Sequence, residues 1–305
     1  MISDDIAGCP VSSKKWSRRS TYNLSRELKE FAITACPSSV GTILKANNFR
    51  LRANRKCISE TKHPDRNRQF ELIARIKKEF EDREQPIISI DSKKKELIGN
   101  FKNPGRTWRT KADEVLDHDF RSQATGLATP YGIYEPVHNR GTVVVGISSD
   151  TSEFAVDCIE FWLTNNANRY RNIKELLILC DCGGSNGART RLWKRELYQK
   201  ICQKYGLVVQ VCHFPAGVSK WNPIEHRLFS AITSNWQGRP LRSFEIALEL
   251  IRSTTNRKGL IVEGILNEKE YQKGIKVTDS QMEEINLVRD EELPQWNYSL
   301  IPKAC

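Results

Sequence analysis

The run "ELLILCD", residues 175–181, constrains this chain more than any other stretch. Its apolar residues are continuous instead of alternating with polar ones. A strand of this kind has both faces buried, so it belongs in the middle of a sheet with helices packed on each side. The flanking sequence agrees. "DTSEFAVDCIEFWLTNN" (150–166) reads as a helix, with Phe154, Ile159 and Trp162 apolar and Thr151 or Asp150 as its cap. "GARTRLWKRELYQKICQKYG" (187–206) reads as a helix closed by Gly206. "LVVQVCHFP" (207–215) is the next strand, and "PIEHRLFSAI" opens a further helix with Leu228, Phe229 and Ile232 on one face. Upstream, "PIISID" (86–91), "KELIGNF" (95–101) and "GTVVVGIS" (141–148) read as strands, the first two joined through "SKKK" as a hairpin. Three strands followed by helix–strand–helix–strand–helix predict an α/β fold: a mixed five-stranded sheet flanked by helices.

A small helical region precedes this sheet. "TYNLSRELKEF" carries Leu24, Leu28 and Phe31 at helical spacing. "PSSVGTILKANNF" carries Val40, Ile43 and Leu44, with Ser38 or Ser39 as N-cap. Two short helices ending in the basic run "RLRANRK" predict a helix-turn-helix-like DNA-binding region. Arg50, Arg52, Arg55 and Lys56 would then lie on phosphates. An ordinary helical hairpin with a solvated basic end fits the same pattern. The expected organisation is a basic flexible segment at 1–19, the helical region at 20–62 and a connector helix at 63–85. A catalytic domain at 86–265 and a C-terminal tail at 266–305 complete it. The connector is charged and amphipathic, with Phe70, Ile73, Ile76 and Phe80 as its apolar side.

Composition narrows the class. The 305 residues carry a formal net charge of +11, which favours a polyanionic partner, most simply nucleic acid. Hydrophobic residues make up 39%, enough for a buried core. No apolar run approaches the roughly 18 residues of a membrane span. The N-terminus has no hydrophobic signal core, so secretion is not indicated. Nine cysteines, none in a CxxC pair, suit reduced thiols in a cytoplasm.

Three acids then stand at the ends of core elements. Asp91 ends the first strand, Asp181 ends the central one, and Glu225 opens the helix after the fifth. If the first and fourth strands are neighbours, Asp91 and Asp181 meet at one sheet edge. The turn "HFPAGVSKWNP" brings Glu225 over them. Carboxylates this close raise one another's pKa, and a divalent metal removes that penalty. Oxygen ligands suit Mg2+ or Mn2+, and two such ions, roughly 3.5–4 Å apart, would promote phosphoryl transfer. Each acid alone has a plainer reading. Asp91 suits a strand-end turn and Asp181 a cap before "GGSNG". Glu225 suits the positive end of a helix dipole, worth about 0.3–1 kcal/mol. Asp150 reads as a helix cap, and Asp119 lies in a connection.

The surroundings add support. "CGGSNG" (182–187) is no Walker loop, but its backbone can approach a phosphate, with Ser185 and Asn186 in support. A flexible turn is the plainer reading. His213 and His226 flank the acids and can orient water or phosphate, although lone histidines are more often structural. Lys220, Trp221 and Asn222 can hold a DNA strand end by charge, stacking and hydrogen bonding, although Trp221 suits the core equally. Cys180 and Cys182 read as packing.

Several ordered motifs carry a family resemblance: "IISIDSKKKELIGNFKNPGR", "HDF", "PYGIYEP", "DTSEFAV", "LLILCDCGGSNG", "FPAGVSKWNPIEHRLFS" and "NWQGRPL". Together with "HPDRNRQF" they resemble the Rhodopirellula-type DDE transposases of bacterial insertion sequences, from about residue 50 to about 262. "NPIE" is also similar to the third-acid motif of mariner-like transposases. The resemblance implies an RNase H-like core, divalent metal, and cutting and joining of DNA at element ends. Its triad falls on Asp91, Asp181 and Glu225. A bacterial, nucleoid-associated location follows, and holding two ends implies a homo-oligomer on DNA. The family's N-terminal region is usually longer than the one here. Two further readings therefore stand beside it: a shortened, catalytically silent DNA-binding copy, and a plain RNase H-like nuclease.

Overall fold

The computed structural model describes residues 7–8, 15–16, 19–52, 63–170, 172–217 and 221–303. The chain forms two compact units, Met1–Ile58 and Ser59–Cys305. In the first, two-residue strands β1 (Ala7–Gly8) and β2 (Lys15–Trp16) pair antiparallel. Helices α1 (Thr21–Glu30) and α2 (Pro37–Ala46) pack on one another. The Ser20 hydroxyl caps α1 by accepting from the Asn23 N–H at 3.1 Å. The N-cap of α2 is Cys36, with Pro37 in the first turn, and not Ser38 or Ser39. Proline suits that turn because its missing N–H would have no helical partner there. Arg55 and Lys56 lie outside the described residues.

Among the described residues the second unit is built on one sheet of nine strands, not five. They are β3 (Ile87–Ser92), β4 (Glu96–Ile98), β5 (Gly126–Glu135), β6 (Arg140–Gly146), β7 (Glu175–Asp181), β8 (Val208–Phe214), β9 (Ile261–Asn267), β10 (Leu287–Arg289) and β11 (Asn297–Leu300). Their order is β10-β11-β8-β7-β3-β5-β6-β9, with β4 on β5. β7 runs parallel to both neighbours, β3 and β8, while β3 and β5 are antiparallel. The expected β3–β4 hairpin does not form. β4 pairs with β5 instead, and the Lys93 N–H donates to the Pro130 carbonyl, so the chain leaves β3 toward β5. Residues 287–289 and 297–300, expected within a tail, extend the sheet beyond β8.

Alternation along the central strands sorts side chains to two faces. Ile88, Ile90, Ile178 and Cys180 face a core shared with α4 (Ser152–Asn166), α5 (Arg191–Leu197) and a π-helical continuation, Tyr198–Gln203. Gly206, at φ +65, ends that helix as expected. Ile87, Leu177 and Leu179 face the other way, toward Leu72, Ile73, Ile76 and Phe80 of α3 (Arg66–Asp82). The expected connector helix is thus a layer of the fold. Gln69 of α3 is fully buried and donates to the His213 carbonyl at 2.8 Å. A short helix α8 (Asp279–Glu283) precedes β10. No helix among the described residues is long and apolar enough to cross a membrane.

The helix carrying Glu225 lies on this second face. It begins as a π-helical turn, Glu225–Phe229, and continues as α6 (Ser230–Trp236). Ile224, Leu228, Phe229 and Ile232 pack on Tyr134, Val143 and Val145 of the sheet and on α7 (Phe244–Arg252). Close approach depends on Gly132, which stands opposite Asp91 in the β3–β5 ladder. A Cβ there would lie 2.5 Å from Phe229 and 2.8 Å from Ile224. Replacing Gly132 with alanine should therefore cost about 1–3 kcal/mol through overpacking, read from urea unfolding. A change below about 0.5 kcal/mol, the scale of a neutral surface substitution, would contradict this packing.

Candidate active site

β3 and β7 run parallel with Ile87 opposite Leu177, Ile88 opposite Ile178 and Ser89 opposite Leu179. Continued two residues, the same register sets Asp91 level with Asp181 at the carboxyl ends of both strands. Adjacent strands lie about 4.7–4.9 Å apart. Opposite residues of a parallel pair share a face, so both acids project with Ile87, Leu177 and Leu179 toward the side where the Glu225 helix packs.

The acids interact directly. Asp91 feels the charges of both Asp181 and Glu225, and Glu225 stands close enough to accept from a protonated Asp91. Asp91 Oδ1 accepts from the Ser92 N–H at 2.8 Å. Burial first, then the neighbouring charges, push the Asp91 pKa up to about 8. Burial, and then the charge of Glu225, also raise Asp181, against a lowering hydrogen bond from Asn222. No lysine or arginine among the described residues forms an ion pair with any of the three. Lys93 lies near enough to feel the charge of Glu225, but its ion pair is with Glu96.

Asn222 ties this arrangement together. It is fully buried, so it does not offer its carboxamide to DNA as expected. Its Oδ1 accepts from the Ser89 hydroxyl, while its Nδ2 donates to Asp181 Oδ1 at 3.2 Å and to the Ile90 carbonyl at 3.3 Å. Its own carbonyl accepts from the Glu225 N–H, and the Ile224 N–H donates to the Ser89 hydroxyl. One carboxamide thereby joins β3, β7 and the start of the Glu225 helix. Ser89 was not singled out in the sequence. Its only signal is a polar side chain two residues before Asp91, on the same face of an otherwise apolar strand.

The remaining candidates divide. His213 is fully buried, with Nδ1 3.0 Å from the Asp181 carbonyl and 3.3 Å from Cys180 Sγ. Burial lowers its pKa to about 4, so it is neutral at neutral pH and steadies the end of β7 instead of meeting a phosphate. Ser185 and Asn186 are also buried. The Ser185 carbonyl accepts from the Ser152 hydroxyl at 2.5 Å, and the Asn186 amide nitrogen is buried without a hydrogen-bond partner among the described residues. Trp221 is 55% exposed, with its ring edge-on to Phe70 at 5.9 Å. His226 is exposed in a separate groove with Arg227, Ser234 and Asn256. Arg52 is exposed, and Arg50 is turned onto the end of α2, donating to the Lys45 and Phe49 carbonyls. Lys220 lies outside the described residues. Asp150 is not the cap of α4: the Thr151 hydroxyl accepts from the Phe154 N–H, and Asp150 accepts from Ser92 at 2.8 Å.

The donor set has the chemistry of a hard divalent cation site: three carboxyls, charge in excess and no thiol. As they stand, no three His, Cys, Asp or Glu side chains among the described residues are disposed to hold an ion. With its pKa raised to about 8, Asp91 holds a proton near neutral pH, and that proton must leave before Asp91 can serve as a ligand.

Two predictions follow from this geometry. Asn222→Ala should weaken Mn2+ binding in calorimetric titration by about 10–100-fold, the usual cost of losing a group that orients a metal ligand. Unchanged affinity would show that Asn222 does not hold Asp181. The second concerns pH. With its pKa raised from 3.8 to about 8, folded Asp91 keeps a proton that the unfolded chain has released, so its stabilising contribution declines as pH rises through that range. His213, lowered from 6.5 to about 4, acts oppositely, but only below 6.5. In EDTA the melting temperature should therefore fall between pH 6.5 and about 8, and the fall should vanish in Asp91→Asn. A flat profile for the wild-type protein would contradict the raised Asp91.

Comparison with solved structures finds similarity to the Mos1 transposase paired-end complex with the left transposon end, at 11% identity and a TM-score of 0.43, covering 74% of this chain and 63% of that one. The Mos1 strand transfer complex gives 12% and 0.45, with 79% and 71% covered. The mariner Mos1 paired-end complex with Mg gives 12% and 0.42, with 78% and 72% covered. The chain therefore spans less than two thirds of the first of these. No curated protein sequence matches significantly. The family described as the Rhodopirellula transposase DDE domain matches residues 1–302, almost the whole length. With that extent of match, the chain belongs to the Rhodopirellula-type DDE transposase family, which implies use of a divalent metal.

Proposed function

We propose that this protein is a metal-dependent transposase that cuts DNA at the ends of an insertion sequence and joins them to a target. The observation that carries the reading is the grouping of Asp91, Asp181 and Glu225 at one sheet edge, in a chain of this family. The three carboxylates act as the ligands of two Mg2+ or Mn2+ ions. When bound, such ions polarise the scissile phosphodiester and activate the attacking water or 3′-hydroxyl.

The chain's own residues supply position. Asn222 holds Asp181 and the Glu225 backbone at fixed separation, and Ser92 fixes one oxygen of Asp91. Gly132 lets the Glu225 helix sit down on the sheet. Asp91, with its pKa raised to about 8, gives up its proton when the site is loaded, so loading is favoured as pH rises. DNA is the partner that the net charge of +11 suits. The basic end of the N-terminal unit, including Arg50 and Arg52, contacts its backbone, and Trp221 stacks on a base. Two ends handled together require more than one copy of the chain.

The test is incubation of the full chain with Mg2+ and duplexes taken from the DNA on either side of its coding sequence. The expected result is cut ends joined to target DNA. Cutting without joining would make the protein a nuclease, and binding alone a silent copy. Asp181→Asn should reduce product to background while DNA binding persists. Undiminished product from that variant would remove Asp181 from the chemistry.

A further inference from the structure

The glycine-rich turn after β7 has no role in the site so far, yet it forms the wall of a groove. This groove, of about 690 Å³, begins at Cys182, next to Asp181, and includes Gly183, Gly184, Arg189, His63 and Trp296 in its lining. It lies over the ends of β7 and β8, on the side of Asp181 away from β3. A second groove, lined by Lys93, Lys94 and Glu225, lies on the β3 side. The acids thus stand between two grooves along one sheet edge.

Gly183 is the telling residue. Its φ of −110 is extended backbone that any amino acid adopts, and a Cβ added there would meet nothing within 4 Å. Neither backbone strain nor packing within the protein requires glycine at this position. Gly184 differs, since its φ of +72 lies in the left-handed region. A bare backbone in open space beside a reactive centre suits a ligand that passes against the main chain. Two of the turn's carbonyls are engaged within it: Cys182 O accepts from the Ala188 N–H and Gly184 O from the Gly187 N–H, each at 3.3 Å. No aspartate or glutamate among the described residues lines this groove, and its charged wall includes the exposed Arg189. The groove on the β3 side, in contrast, contains Glu96 and Glu225.

We propose that the groove at Cys182–Gly184 is the seat of the phosphodiester backbone of the DNA strand flanking the reacting phosphate on the β8 side. The strand runs against the Gly183 main chain, with Arg189 pairing a phosphate and the His63–Trp296 ring pair, 4.6 Å between centroids, closing the far wall. This inference rests on the transposase reading and adds the direction in which the strand leaves the acids.

The test uses the full chain and a fluorescein-labelled, mixed-sequence DNA hairpin with a single-stranded tail. Affinity is followed by anisotropy in Ca2+ at several salt concentrations. Gly183→Trp fills the groove from a position with space for a side chain, and should weaken binding about tenfold, or 1.4 kcal/mol, without lowering the melting temperature. Gly183→Ala should bind like wild type. Arg189→Ala removes one phosphate contact, so the slope of log affinity against log salt should flatten by about 0.9. This second variant keeps the test decisive if tryptophan disturbs folding. Wild-type binding with neither variant altered would overturn the groove assignment while leaving the transposase reading intact. Failure of the wild type to bind DNA would overturn both.

Discussion

Two carboxylates at the same height on neighbouring parallel strands are an unfavourable arrangement for a fold to maintain. Here the register of β3 against β7 imposes it, because the apolar pairs Ile87–Leu177 and Ile88–Ile178 leave Asp91 and Asp181 no choice but to end level. Burying one isoleucine or leucine is worth about 1.5–3 kcal/mol. A row of them outweighs the repulsion of one partly buried acid pair, which is eased further by protonation of Asp91. The core thus holds in place a cluster of charge that would otherwise disperse.

Asn222 converts this strained edge into a defined geometry. A residue that only filled space would leave Asp181 free to rotate. A carboxamide that donates to Asp181 while accepting from Ser89 fixes the distance between strands and helix together. The π-helical turn at Glu225 belongs to the same design, since a widened turn changes the direction in which its first residue points relative to the apolar stripe below. Gly132 completes it by removing the side chain that would hold the helix away from the sheet.

Much of this was legible in the chain. The continuous apolar run at 175–181 has the bounds of β7, and the acids at the ends of β3 and β7 were visible as polar stops on buried strands. β5 was not read as a strand because Gly126, Pro130 and Gly132 interrupt its pattern, and such residues argue against a central strand from sequence alone. β10 and β11 are three and four residues long, too short for alternation to register. Asn222 was assigned to DNA because it stands beside Lys220 and Trp221 in a turn between core elements. Its burial depends on Ser89, far away in the chain, and no local pattern reports that contact. His213 shows the same limit, since only the packed strands reveal that its ring is enclosed.

The claim on which everything turns is that Asp91, Asp181 and Glu225 act as one ligand set. The most direct measurement is a crystal structure of the protein soaked in Mn2+ above pH 8, with the metal located by anomalous scattering. The account predicts a peak within about 2.0–2.6 Å, the range of hard divalent cations, of oxygens from all three acids. Manganese bound elsewhere, with none at these acids, would contradict it.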